Sequence, residues 1–88
     1  MAFITFIAHY PDAGAVIPGS GGIRKARWAR RGAGKRGGVR VIYYFHSQAV
    51  PLFLLTVYAK SRRADLSESE LRVMRRLVAE LKAQYARQ

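Results

Sequence analysis

Residues 39–46 read VRVIYYFH and residues 52–60 read LFLLTVYAK. Both runs are dominated by β-branched and aromatic residues, the types that suit a pleated, half-buried surface. Only Ser47 to Pro51 separates them. That is long enough for a turn and too short for a crossover helix, so the two strands pair antiparallel. LFLLTVYAK is nearly all apolar, which predicts a strand that is central or buried on both faces. Upstream, Ile23 to Arg30 alternates loosely around Trp28 and predicts a third strand. It joins VRVIYYFH through the glycine-rich segment Gly32 to Gly38.

The period then changes. Leu71, Met74, Leu77, Val78, Leu81 and Tyr85 recur at spacings of three and four, with Arg72, Arg75, Arg76 and Lys82 on the other side. This is an amphipathic helix of about 20 residues, with its apolar stripe toward a core. Asp65 and Ser67 are candidate N-caps, and Ser67 with Glu70 forms a capping-box pattern. Before the strands, Pro11, Gly14, Pro18 and the GSGG cluster at 19–22 mark a long turn region. Residues 2–9 are apolar enough for a short strand or the end of a helix. Their run is too short to span a membrane and lacks the basic start of a signal peptide. The whole reads as one α+β domain over residues 1–88: an antiparallel meander of at least three strands with a C-terminal helix on one face.

The 88 residues hold 16 Lys and Arg against five Asp and Glu, a formal charge of +11. The distribution is sharper than the sum. Residues 13–64 carry eleven cations and no acid; the acids are Asp12, Asp65, Glu68, Glu70 and Glu80. Folding does not require a block of one sign, which repels itself. A polyanion or an acidic protein partner is the natural complement. There is no cysteine, which excludes disulfides and thiolate metal sites and suits a reducing cytoplasm.

The segment RRGAGKRGGVR, residues 30–40, contains GAGKRG and so satisfies the G-x-G-x-x-G pattern. A dinucleotide loop needs a helix after the glycines to receive the pyrophosphate. Here a strand follows. The P-loop spelling fails as well: Ala29 stands at its first glycine, and Arg36 replaces the Ser or Thr that would hold magnesium. No cofactor is expected. A basic, glycine-rich hairpin remains suited to a nucleic-acid backbone.

His9 and His46 are far apart, and neither has the carboxylates of a metal site nearby, so no metal is expected either. Instead, cations and phenols recur on the strands. Lys25 and Arg27 share one face of their strand by the period of two, while Arg24 and Trp28 take the other. Arg40 aligns with Ile42, Tyr44 and His46; Tyr58 aligns with Lys60, and the exit runs into Arg62 and Arg63. A solvated face explains any one of these residues. It explains less well cations on all three strands with no acid between them. Such a set suits RNA cleavage by the substrate's own 2′-hydroxyl. Arg and Lys stabilise phosphate charge, Lys or Tyr move protons, and aromatic rings stack unpaired bases.

The motifs G-G-I-R-K-x-R-W (21–28), G-K-x-G-G-x-R-V-I-Y-Y (34–44) and V-Y-x-K (57–60) ahead of D-L-S resemble the RelE/HigB-like branch of the RelE/ParE toxin superfamily. The likeness runs over about residues 11–80. It implies a small RNase fold: a twisted antiparallel sheet with helices on one side. It also implies the toxin of a bacterial type II toxin–antitoxin module, an mRNA interferase that cuts mRNA at the ribosome and is neutralised by a cognate antitoxin. Carried over by position, Lys25 and Arg27 are proton acceptor and phosphate binder, and Arg40 stabilises the transition state. Lys60, with Arg62 behind it, matches the cation that follows the last strand. Tyr58 or Tyr44 would stand in for a C-terminal catalytic Tyr or His, since that region here reads DLSESE. Arg24, Arg30, Arg31, Lys35, Arg36, Tyr44, Arg62 and Arg63 would hold RNA. Relatives begin with an extra strand and helix ahead of P-x-x-G, so a shortened N-terminal layer is expected. The alternatives are a ParE-like gyrase inhibitor that cuts nothing, a plain nucleic-acid-binding module, and an inactive toxin remnant.

Overall fold

The computed structural model describes residues 2–28, 38–46, 52–59 and 65–86. Helix α1 (Ala2–His9) is followed by strands β1 (Ala15–Val16), β2 (Ile23–Trp28), β3 (Val39–Tyr44) and β4 (Phe53–Ala59), and then by helix α2 (Glu68–Ala86). The strands form one sheet in the order β1-β2-β3-β4, and every pair is antiparallel. This is the expected α+β meander, with one strand more than the three read from the sequence. The addition, β1, lies inside the long turn region. Its return to β2 is closed by Ser20, which is buried. Ser20 Oγ donates to the Ile17 carbonyl at 2.6 Å and accepts from the Ile23 amide at 2.9 Å. Gly22, with φ 107°, takes a backbone conformation that side chains rarely adopt.

The alternation of β3 divides the core in two. Val41 and Tyr43 join Phe3, Ile7 and Ala26 on one face. Ile42 and Tyr44 join Ile23, Tyr58 and Val78 on the other. Helix α1 therefore covers one face and α2 the opposite one, so the expectation of helices on one side is corrected. Phe3 and Ile7 are four residues apart and share one side of α1. Phe3 meets Trp28 edge-on, with ring centroids 5.2 Å apart. Among the described residues ahead of Pro11, α1 is the element that packs on the sheet.

The prediction for LFLLTVYAK is also corrected. β4 is an edge strand and β3 is central, with all four of residues 41–44 buried. The apolar residues of β4 are divided between the faces. Phe53, Leu55 and Tyr58 belong to the α2 side, and Leu52, just ahead of the strand, to the α1 side. α1 has eight residues and is about 12 Å long, too short to cover the rest. Leu54 and Val57 stay 43% and 54% exposed. Leu54 lines an open apolar cleft of about 390 Å³ with Ile4 and Ile7.

α2 begins as the capping-box pattern predicts, with Ser67 and not Asp65 as its cap. Ser67 Oγ accepts from the Glu70 amide at 3.1 Å, and Glu70 Oε1 accepts from the Ser67 amide at 2.9 Å. In its last turns Lys82 donates to the Gly21 carbonyl at 2.7 Å, and nearer its middle Arg75 donates to that of Gly19 at 3.1 Å. Two cations of the polar face thus tie the helix to the glycine turn.

Candidate functional site

Sheet register brings the strand cations together. Arg27 on β2 lies directly opposite Arg40 on β3, and Arg40 lies opposite Tyr58 on β4. Directly opposed residues put their Cβ atoms about 4.5–5.5 Å apart on one face. Lys25 faces that same side two residues along β2, opposite Ile42. The row lies one pair short of the sheet end formed by Trp28, Val39 and Ala59. All four residues face the α2 side of the sheet.

A β-bulge decides that Tyr58 belongs to this row. Ile42 pairs with Thr56, but the next residue, Tyr43, pairs with Leu54, so Leu55 is extra. Phe53 and Tyr58 are five residues apart and would face opposite ways in a regular strand. The extra residue puts both in the core cluster beneath α2.

The members of the row differ in burial. Arg27 is exposed, Arg40 is half-buried and Tyr58 is buried. The Tyr58 hydroxyl oxygen and Arg40 Nε are both buried, and Arg40 Nε has no hydrogen-bond partner among the described residues. A buried donor left unpaired costs about 1–3 kcal/mol. Two like charges directly opposed on a sheet oppose pairing as well. The fold therefore concentrates donors and positive charge where folding alone gains nothing from them.

A fifth residue enters from the segment just ahead of α2. Lys25 Nζ donates to Asp65 Oδ1 at 2.9 Å, across 40 residues of chain. That hydrogen bond is the main reason the Asp65 carboxyl is held below the usual carboxylate range; the Leu66 amide and the charge of Arg40 add to it. Sequence reasoning gave Asp65 only a capping role. The signal was present in its position, as the single acid between Asp12 and Glu68 and directly after a cationic run.

Other candidates lie elsewhere. Arg24 points to the α1 side, where its guanidinium donates to the carbonyls of Gly14 at 2.6 Å and Asp12 at 3.2 Å. Tyr44 is 4% exposed and packs in the α2-side core. Its hydroxyl meets His46 Nδ1 at 3.0 Å, and Lys82 lies 5.8 Å from its ring centroid. Burial holds the Tyr44 phenol above its ordinary range. Its ring therefore lies inside the core, with no free face for a base to stack on. Lys60, Arg30, Arg31, Lys35, Arg36, Arg62 and Arg63 lie outside the described residues. Among the described residues, no three His, Cys, Asp or Glu side chains gather as a metal site, and no helix is long and apolar enough to cross a membrane.

Residues 16–88 match the family described as "RelE toxin of RelE / RelB toxin-antitoxin system". The chain belongs to the RelE toxin family. The match begins at Val16, inside β1, and covers β2, β3, β4 and α2, and so contains the whole cationic row. Membership makes this protein the toxin of a toxin–antitoxin pair, and it implies an antitoxin partner.

Proposed function

We propose that this RelE-family toxin is a metal-independent endoribonuclease of the HigB-like kind, which cuts mRNA in the cytoplasm, at the ribosome. The observation that carries the reading is the in-register row Arg27–Arg40–Tyr58, with Lys25 beside it on the same face. In the reaction the substrate's 2′-oxygen attacks the adjacent phosphorus. The 2′-hydroxyl proton leaves to an acceptor, the bond to the 5′-oxygen breaks, and that oxygen takes a proton. The products are a 2′,3′-cyclic phosphate and a 5′-hydroxyl.

Arg27 and Arg40 bracket the phosphate and stabilise the charge that builds on its equatorial oxygens. Arg40 Nε, buried and without a protein partner among the described residues, is a donor already set for that anion. Lys25 and Tyr58 are the proton-transfer groups. Lys25 can accept a proton only as the amine, so its contact with Asp65 must open first. Lys60 follows β4 directly and adds a further cation to the phosphate. Arg30, Arg31, Lys35 and Arg36, which fall between β2 and β3 in the sequence, with Arg62 and Arg63, hold the RNA backbone.

The test is induction in a bacterium with mapping of mRNA ends. Growth arrest with codon-phased cuts, abolished in Arg40→Ala, is the expected outcome. Arrest with intact mRNA and DNA damage would sink the nuclease reading in favour of a gyrase inhibitor.

A further inference from the structure

The Asp65 carboxylate is an anion held at one end of the row, on Lys25. It accepts a hydrogen bond from Lys25 on β2 and lies in the field of Arg40 on β3. The residue after it adds the Leu66 amide. The Lys25 side chain is 26% exposed and that of Asp65 is 66% exposed. An exposed ion pair of this kind is weakly held and screened by solvent. A diester phosphate arriving at Arg27 and Arg40 brings a negative charge to a site already holding one. The two anions repel each other across Lys25, and the exposed carboxylate is the one held by a single side-chain contact.

We propose that Asp65 is an internal competitor for the scissile phosphate: its carboxylate occupies the Lys25 end of the anion site and is displaced when substrate binds. The proposal rests on the phosphate-binding reading of the row. It assigns Asp65 a positioning role, since it acts through Lys25 and touches no reacting atom. In the free toxin the carboxylate holds the Lys25 side chain over the sheet; in the complex it releases it toward the substrate. Asp65 is free for this task because the capping of α2 is carried by Ser67 and Glu70.

The experiment titrates the 88-residue chain with inorganic pyrophosphate, comparing wild type with Asp65→Asn and Asp65→Glu. Carboxyl carbon NMR follows Asp65 itself. Asp65→Asn should bind pyrophosphate about two- to fivefold tighter, the scale set by a weak exposed ion pair, and Asp65→Glu should stay near wild type. Saturating pyrophosphate should move the Asp65 titration up toward the ordinary carboxylate range, because Lys25 has let go. Equal or weaker binding by Asp65→Asn overturns the inference. So does an Asp65 titration that stays put while pyrophosphate binds, or the absence of any anion binding. Cleavage assays keep the two readings separable. Arg40-dependent cutting with unchanged Asp65→Asn affinity defeats the competitor role alone. Competition without cutting leaves the competitor role standing and defeats the nuclease.

Discussion

Arg27 and Arg40 face each other in register across β2 and β3, two guanidinium side chains on one side of a sheet. Opposed like charges weaken strand pairing by roughly 0.2–1 kcal/mol. Arg27→Gln should therefore leave stability unchanged or raise it by up to about 1 kcal/mol in urea unfolding. The same variant should lose about 100-fold or more in cleavage rate, the scale of one lost anion-stabilising donor. A variant that loses both stability and activity would show that Arg27 serves packing and not phosphate.

Tyr43 is fully buried on the α1 side. Its hydroxyl donates to the Pro11 carbonyl at 2.8 Å and accepts from the Gly14 amide at 2.9 Å, pinning the turn ahead of β1 to the central strand. Tyr43→Phe keeps the ring and leaves that amide unpaired. A loss of about 1–3 kcal/mol is expected in urea unfolding. Gly14→Ala attacks the same contact from the other side. Its Cβ would lie 2.8 Å from the Tyr43 hydroxyl and 3.0 Å from the Lys25 carbonyl, so a comparable loss is expected.

Burial lifts the Tyr43 phenol above its ordinary value, against the opposing pull of the Gly14 amide and Arg24; burial alone lifts Tyr44. A folded-state pKa above the unfolded one favours folding while both states are protonated. That contribution is complete below about pH 10 and is lost as pH rises through the folded value. Urea midpoints should therefore fall on the alkaline side of about pH 10. The decline should be shallower in Tyr43→Phe, whose midpoint starts lower. An equal alkaline slope in both proteins would assign the decline to other groups. Asp65 has the opposite sign. Its lowered value stabilises above the ordinary carboxylate range and is lost as pH falls through the folded value, a small effect for so exposed a pair.

Ser67→Ala removes the hydroxyl that accepts from the Glu70 amide at the start of α2. A cost of about 0.5–2 kcal/mol is expected from thermal unfolding followed by circular dichroism. Asp65→Asn in the same assay should change stability by less, since Asp65 lies outside the cap.

Much of this was legible without coordinates. The β-branched run at 39–46 and the three-and-four spacing of Leu71 to Tyr85 each carry their period in the residues themselves, so strand and helix followed from local chemistry. The same period placed Lys25 with Arg27 on one face of β2. What periodicity lacks is any statement about neighbours. An unbroken apolar run such as LFLLTVYAK describes a strand buried on both faces, and equally an edge strand whose residues are divided between two layers. Only the length of α1 and the strand order tell these apart. Tyr44 looked available beside Arg40, yet the α2 side chains that bury it lie some thirty residues away.

The sequence by itself determined the elements and the charge of this toxin, because side-chain period, turn residues and the absence of acids from 13–64 are local properties. Only the tertiary structure decided which charges meet. Register set Arg27 against Arg40, one extra residue in β4 turned Tyr58 onto their face, and the approach of α2 laid Asp65 on Lys25. The reason is physical: a shift of one residue in pairing reverses every side chain of a strand, and that shift is chosen by the packing of distant layers.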